Sequence, residues 1–276
     1  MSGSETFLQS VIAPEAMATA KARFHEEGWC VLANVLSPDA CAYTLERLWA
    51  AAALRESQGI SSHVAGLDPN ASNVRVFNLL DMDQVFRDLI RHPTAVDLVR
   101  EACGAHWSIS NFTANIARPG AQSMDLHSDQ ALVVPEPWLE PWAVNIIWCL
   151  SDVTFENGAT LYIPGSHKVM RRAELGDDAA ARLVPFEAKA GSIIAMEGRL
   201  WHTSGCNITE DEDRALMFGY YTRDFIRPQW NWNVGLSPET QAGLDNDFRK
   251  RLGLGLVANL RGGDDLLADD SAAKSD

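Results

Sequence analysis

The sequence predicts a mainly β protein with flanking helices, whose core is a double-stranded β-helix, the cupin-like jelly roll. After Gly104, short segments rich in β-forming residues are separated by Pro, Gly, Asn or Asp, which is typical of sandwiches and jelly rolls. Before Gly104 the patterns are mostly helical. Hydrophobic residues make up 46% of the 276 residues, which allows a sizeable core.

The N-terminal elements are predicted from composition and from helix-start signals. Ser37 followed by Pro38 is a strong start, because serine caps a helix and proline suits its first turn. Asp83 and Pro93 predict two later starts, the second helix ending near Gly104. The predicted elements are a helix over 14–27, a strand over 29–36, and helices starting near 38, 84 and 93.

The remaining elements predict one domain over residues 1–261. It would contain a helical part over 1–105, a jelly-roll core over 106–226 and a C-terminal cover segment over 227–261. Within the cover segment, Ser237 predicts the start of a helix that runs to residue 254. Residues 262–276 are acidic and rich in small residues, which predicts a disordered tail. The predicted strands are 107–117, 131–134, 142–150, 159–163, 192–196 and 215–222.

Charge and cysteine usage narrow the function classes. The formal net charge is −14 and no Lys/Arg cluster exceeds a pair, which disfavours nucleic-acid partners and anionic membrane surfaces. No stretch approaches 18 apolar residues, so we expect a soluble, cytoplasmic protein. The five cysteines are widely spaced without a CxxC pair, which predicts buried reduced thiols.

The segment His127-Ser128-Asp129 is the first candidate for chemistry. In an extended strand, residues two apart point to the same face, so His127 and Asp129 can reach one point. They would form two corners of a 2-His-1-carboxylate triad, the open metal site of non-haem Fe(II) oxygenases. The third ligand must come from elsewhere, and His202 is the best candidate because it follows a strand-like run.

Arg214 and Ser204, which both follow His202 in the sequence, suggest an anionic co-substrate. Arg214 begins an apolar strand, and a guanidinium can pair with a carboxylate through two hydrogen bonds, as a dicarboxylate requires. Ser204 could donate a hydrogen bond to the same carboxylate.

The order of these motifs resembles the phytanoyl-CoA dioxygenase family of Fe(II)/2-oxoglutarate oxygenases. The resemblance covers roughly residues 20–235 and depends on HxD, on the NGxxxxxPGSH motif of residues 157–167, and on the later His, Ser and Arg. The HSDQ form and residues 227–232 are closer to the natural-product-tailoring branch than to phytanoyl-CoA hydroxylases.

The resemblance implies site roles, a small-molecule substrate and a homodimer. It implies Fe(II) with 2-oxoglutarate and dioxygen as co-substrates. Hydroxylation is the favoured outcome, and desaturation, ring rearrangement and endoperoxide formation stay open. Met124 stands where some relatives carry glutamine, which leaves open the group that faces the proximal carboxylate of 2-oxoglutarate. The implied residues are His127, Asp129 and His202 for iron, Arg214, Ser204 and Gln130 for 2-oxoglutarate, and Arg75 and Asn78 for substrate.

Other functions remain open from the sequence. A non-catalytic metal-binding jelly roll would keep the triad without turnover, and a scaffold protein would bind no metal. A halogenase is disfavoured, because those enzymes replace the carboxylate that Asp129 supplies. His106, His167 and Trp201 are interpreted as structural residues.

Overall fold

The computed structural model describes residues 12–255 of the chain. The predicted acidic tail, 262–276, lies outside the described residues, as do residues 256–261 of the predicted cover segment. The strands are β1 Trp29–Leu32, β2 Asn73–Val76, β3 Trp107–Ala117, β4 Ala143–Cys149, β5 Thr160–Tyr162, β6 Val184–Pro185, β7 Ile193–Glu197, β8 His202–Ser204 and β9 Arg214–Arg223. The α-helices are α1 Pro14–Glu27, α2 Pro38–Ser57, α3 Leu79–Met82, α4 Gln84–Leu89, α5 Pro93–Cys103, α6 Trp232–Gly235, α7 Pro238–Ala242 and α8 Asn246–Arg251.

Two antiparallel sheets form the core, which confirms the predicted jelly roll. The large sheet has six strands in the order β1-β7-β4-β9-β3-β2, and the small sheet has the order β6-β5-β8. Strand β8 pairs with β5 on one edge, and on its other edge His202 forms an isolated antiparallel bridge with His127. The predicted strands are therefore largely right, and the long ones, β3 and β9, differ from their predicted bounds by two residues at most.

The large sheet is buried on both faces. In β4, Ile146 and Trp148 belong to the cluster that the helices cover, whereas Ile147 and Cys149 belong to the cluster between the sheets. Because both faces are covered, the strand is an almost continuous apolar run rather than an alternating one.

The predicted helix ends are confirmed by their caps. Ser37 Oγ accepts a hydrogen bond of 3.1 Å from Ala40 N, and Asp83 Oδ1 accepts one of 3.0 Å from Val85 N. The first helix ends at Gly28, whose φ of +78° is the left-handed conformation that glycine adopts readily. A Cβ there would lie 2.5 Å from the His167 ring, so the site also requires the small residue.

Two predicted strands differ from the structure, and three short strands were not predicted. Residues 131–134 were predicted as a strand, but residues 131–132 are the end of a 3-10 helix over Asp129–Leu132, and the chain continues from there as a loop. Gln130 N, within this helix, donates to Gly198 O at 2.7 Å. The apolar run 29–36 forms a strand only as far as Leu32. Strands β2, β6 and β8 were missed, since two to four residues are too few to show a period.

The C-terminal segment packs against the core under the large sheet. The single helix predicted from 236 to 254 is two helices, because Asp245 Oδ1 accepts a 2.8 Å bond from Phe248 N and caps a new start. The side chains of Trp232 and Phe248 are both 1% exposed and join the cluster under the large sheet. Removing residues 227–255 would therefore open that core.

Two further sequence expectations concern membranes and thiols. Within residues 12–255, no helix combines the length and apolarity that crossing a bilayer would need. All five cysteines are free thiols; four are buried, as predicted, and Cys206 is exposed.

We predict that Tyr221→Phe lowers the free energy of unfolding by about 1–3 kcal/mol, because it leaves a buried carbonyl without a donor. The Tyr221 hydroxyl donates a 2.6 Å bond to Ile90 O, and the side chain is 0% exposed. Urea denaturation measures the change. Tyr162→Phe is the matched control, because its hydroxyl forms no hydrogen bond within residues 12–255. Equal denaturation midpoints for the two variants would show that the bond contributes nothing.

Candidate functional site

A pair of histidines is held together by the main chain. His127 N donates to His202 O at 3.0 Å, and His202 N donates to His127 O at 2.8 Å. This is the hydrogen-bonded pair of an antiparallel ladder, in which facing side chains share one side. The two imidazole rings consequently lie with centroids 4.4 Å apart.

Asp129 completes the cluster from a turn rather than from a strand. Extended backbone continues only through Ser128, and Asp129 begins the 3-10 helix. Its Oδ1 lies 3.9 Å from His127 Nε2 and 3.8 Å from His202 Nε2. One ligand atom from each of the three residues lies within 4.8 Å of the others, so they could hold one metal ion.

The two imidazoles are oriented for this purpose. His127 Nδ1 is 2.8 Å from Asp125 O, and His202 Nδ1 is 2.9 Å from Leu200 O. A proton on each Nδ1 satisfies these carbonyls and leaves each Nε2 lone pair facing Asp129, the arrangement common at metal-binding histidines.

Burial keeps His202 unprotonated. It lowers the pKa of His202 to about 4, the neighbouring Asp129 opposes the shift, and His127 adds to it. The ring is therefore neutral near pH 7 and can donate its lone pair.

A cavity of about 520 Å³ opens onto the cluster. Its walls come from the inner faces of both sheets and from loops at the mouth. Among the expected site residues, six line it: His127, Asp129, His202, Arg214, Ser204 and Arg75.

Arg214 supplies a cation at the inner end of this cavity. Its side chain is 1% exposed, with Nε donating to Gly158 O at 3.0 Å and Nη1 to Asn115 O at 3.2 Å. Burial, together with the nearby Arg75, lowers the pKa of Arg214 to about 10, so the group stays cationic near pH 7. Within residues 12–255, the Arg214 guanidinium forms no ion pair and bonds only to these two carbonyls. A buried guanidinium without a carboxylate is suited to an anionic ligand.

The turn at residues 157–158 explains why Arg214 lies there. Asn157 holds the turn, with its Oδ1 accepting from Thr154 N at 2.9 Å and its Nδ2 donating to Asp152 O at 2.9 Å. Gly158, at φ +93°, approaches residues 205–207 so closely that a Cβ would be 3.1 Å from Gly205 O. The NG pair of the sequence motif is thus what carries a carbonyl to the guanidinium.

Arg75, expected near substrate, lies at the same inner end. It pairs with the buried Asp68, with both Nε–O distances at 3.0 Å and an Nη2–Oδ1 distance of 2.6 Å. Strand pairing places Arg75 opposite Asn115, whose carbonyl accepts from Arg214. Ser204 lies nearby, and its Oγ accepts from Met124 N at 3.0 Å.

Two expected site residues lie outside the cavity lining. Gln130 is 0% exposed and its amide is used by the following loop, donating to Glu140 O at 3.0 Å and accepting from Trp142 N at 2.8 Å. Asn78 donates to Gly235 O at 2.5 Å and accepts from Trp230 Nε1 at 3.1 Å. Both amides therefore hold chain segments in place, and the ligand contacts expected for them stay predictions.

Sequence reasoning missed two residues that hold Asp129. Asn145 Nδ2 donates to Asp129 Oδ2 at 3.1 Å, and the Tyr220 hydroxyl donates to Asp129 O at 3.0 Å. Both lie within apolar strands, where Asn145 interrupts the run AVNIIWC. A lone polar residue in a buried strand is the signal that could have identified it.

His167 and Trp201 are structural, as interpreted from the sequence. His167 is buried beside Gly28, and burial lowers its pKa to about 4. Trp201 is 2% exposed in a cluster with Trp138 and Ile163. His106 lies at the surface, 3.6 Å from Asp224.

Comparison with known proteins assigns the chain to a family. Residues 24–215 match the family model described as Phytanoyl-CoA dioxygenase (PhyH). Dioxygenase af480 of Aspergillus fumigatus is 49% identical over 248 residues, which cover 90% of this chain and 80% of that protein. The Fe(II)/2-oxoglutarate-dependent dioxygenase nvfF of Aspergillus novofumigatus is 30% identical over 148 residues, covering 51% of this chain and 48% of that protein.

Solved structures share the fold. The epimerase SnoN from nogalamycin biosynthesis, in complex with Fe3+, alpha ketoglutarate and nogalamycin RO, superposes with a TM-score of 0.61 at 20% identity, covering 84% of this chain and 93% of that one. EctD from S. alaskensis, with 2-oxoglutarate and 5-hydroxyectoine, gives a TM-score of 0.62 at 23% identity, covering 79% and 80%.

We predict that Asn145→Ala weakens Fe(II) binding about 10–100-fold, because Asp129 loses the donor that orients its carboxylate. Anaerobic titration calorimetry measures the affinity. Thr113→Ala is the control, since Thr113 lies in the same cavity wall and does not bond to Asp129. An Asn145→Ala protein with unchanged affinity would show that the amide does not orient the carboxylate.

Proposed function

The chain belongs to the phytanoyl-CoA dioxygenase family of Fe(II)/2-oxoglutarate-dependent dioxygenases, and we propose that it hydroxylates a small, natural-product-like organic molecule. The reaction would convert substrate, 2-oxoglutarate and dioxygen into hydroxylated product, succinate and carbon dioxide. One observation supports the site assignment above all others: the cluster of His127, Asp129 and His202 shares a cavity with the buried cation of Arg214, which has no ion pair within residues 12–255.

His127, Asp129 and His202 would hold the iron. Two imidazoles and one carboxylate form the donor set that suits Fe(II) while leaving coordination positions open. The fixed Nδ1 contacts support this assignment, because both rings present Nε2 without rearrangement. Iron and 2-oxoglutarate, when bound, supply the oxidising chemistry with dioxygen; the protein positions the reactants and excludes water.

Arg214 and Ser204 would hold the distal carboxylate of 2-oxoglutarate. The Arg214 guanidinium is fixed by two main-chain carbonyls, so little conformational entropy is lost on binding. Arg75 supplies a second guanidinium at this end, 3.6 Å from Met124 Sδ through Nη2. We therefore assign Arg75 to the co-substrate end of the cavity instead of the substrate contact expected from the sequence.

The names of similar proteins support a natural-product substrate. The structural neighbours include an epimerase and a carbocyclase of nogalamycin biosynthesis, so the family fold carries more than one outcome. Product mass spectrometry separates the outcomes: hydroxylation adds one oxygen atom, epimerisation leaves the mass unchanged, and ring closure by oxidation removes two hydrogens. A product without added oxygen would exclude hydroxylation.

We predict that His127→Ala and Asp129→Ala abolish tight Fe(II) binding and succinate formation, because each removes one of three protein ligands. Anaerobic metal titration and a succinate assay measure the two losses. His106→Ala is the matched control, since that imidazole lies at the surface and pairs with Asp224. Wild-type iron affinity in His127→Ala would overturn the ligand assignment. Iron binding without substrate-dependent succinate formation in the wild-type protein would instead indicate a non-catalytic metal site.

We predict that Arg214→Ala raises the apparent KM for 2-oxoglutarate roughly tenfold to several-hundredfold, because a charge-assisted pair in a buried site is lost. Fe(II) affinity should stay near the wild-type value. The control is Arg118→Ala, a half-exposed guanidinium 3.9 Å from Asp213 and outside the cavity lining. An unchanged KM in Arg214→Ala would remove this guanidinium from the co-substrate site.

A further inference from the structure

Within residues 12–255, two buried amide oxygens in the cavity wall have no hydrogen-bond partner: Asn145 Oδ1, whose residue holds Asp129, and Asn111 Oδ1, which lies away from the metal cluster. The Nδ2 of the same amide donates to Gln229 Oε1 at 3.4 Å, and both residues line the cavity. A buried acceptor without a donor is costly, so its presence in a binding cavity indicates a ligand that supplies the donor.

Gln229 reaches the cavity because of a bulge in β3. The pairing register of β3 and β9 shifts between Ile109 and Asn111, which leaves Ser110 outside the ladder. Gln229 N donates to Ser110 Oγ at 3.0 Å, and Trp230 N donates to Ser110 O at 3.0 Å. Bulges commonly redirect side chains near active sites. This bulge holds the C-terminal segment so that Gln229 faces Asn111.

Strand pairing places this amide pair to one side of the metal cluster. Tyr220 of β9 pairs with Asn111 on one side and with Asn145 on the other. The two asparagines are therefore two strand spacings apart, roughly 10 Å. Asn145 bonds to Asp129 and so marks the position of the metal cluster. A substrate bonded to Asn111 would therefore react at an atom roughly 10 Å from the group that Asn111 binds.

The outer part of the cavity is apolar and carries no cation. Phe77, Leu67 and Leu132 line it, and Phe77 is stacked on Trp230 with ring centroids 5.7 Å apart. Among the described residues, the lining cations are Arg75 and Arg214, both at the inner end. The exposed carboxylate of Asp125 adds negative charge. Phosphate or carboxylate groups on a substrate would meet no counter-charge there.

We propose that Asn111 and Gln229 form a recognition site for a hydroxyl group on an uncharged, otherwise apolar substrate. A hydroxyl can donate to Asn111 Oδ1 and accept from Gln229 Nε2, so it satisfies both amides at once. The inference rests on the proposed function, because it specifies the substrate of the same site. It also disfavours acyl-coenzyme A thioesters, whose phosphates need cations.

The test uses probes that share one apolar ring: cyclododecanol, cyclododecane, cyclododecanone, cyclododecylamine and cyclododecanecarboxylic acid. Binding is measured by tryptophan fluorescence in the metal-free, full-length protein without 2-oxoglutarate, so the result does not depend on the proposed reaction. We expect cyclododecanol to bind about tenfold more tightly than cyclododecane, the difference that a pair of hydrogen bonds supplies. The ketone, amine and acid should bind more weakly than the alcohol.

Variants assign the preference to the two amides. Asn111→Leu should bring cyclododecanol to the affinity of cyclododecane, and Gln229→Leu should do so without touching a buried strand. Asn233→Leu is the control, since Asn233 is exposed in the same segment and outside the cavity lining. An alcohol preference that survives in both Leu variants overturns the proposal, as does equal binding of alcohol and hydrocarbon to wild type. Tightest binding by the amine would assign recognition to Asp125 instead, and tightest binding by the acid would assign it to the arginines.

Discussion

The hydrogen-bonded main-chain pair between His127 and His202 is the constraint on which the site depends. The loop after β3 has no strand of its own, and this pair attaches it to the edge of the small sheet. Strand β8 is in turn fixed by Ser166 Oγ, which accepts from Trp201 N at 2.9 Å, and by Gly205 N, which donates to Ala159 O at 2.9 Å. Main-chain hydrogen bonds thus fix the positions of the two histidines in the metal cluster.

Charge is distributed unequally along the cavity. Arg75 is neutralised by Asp68, whose side chain is 0% exposed, whereas Arg214 is bonded only to carbonyls within the described residues. A guanidinium removed from water without a counter-ion is destabilising, and an anionic co-substrate relieves that cost. The inner end therefore selects for negative charge, while the outer end, with Asp125, selects against it.

The sequence was sufficient for the residues whose chemistry is rare and whose spacing is local. His127 and Asp129 could be recognised as a pair because two residues separate them, and His202 and Arg214 followed from motif order. The sequence could not show that the amides of Gln130 and Asn78 bond to loop segments, because the direction of a side chain depends on the tertiary path of the chain. Asn145 and Tyr220 were missed because a buried strand hides its functional residues among apolar neighbours.

The C-terminal segment was expected as a cover over the cavity. Its burial under the large sheet depends on contacts about 120 residues distant in sequence, such as the bond from Trp232 Nε1 to Ile109 O at 2.8 Å.

The C-terminal segment is attached to the β3 bulge by main-chain bonds, whereas the side chain at position 229 contacts the substrate cavity. Gln229 and Trp230 are joined to Ser110 by their main-chain amides, so the attachment does not require a glutamine side chain at 229. Any residue other than proline could make the same bond and present a different group to the cavity. Position 229 is therefore a site at which the enzyme could acquire a new substrate preference by a single substitution at little cost to folding, and a natural first position for directed evolution.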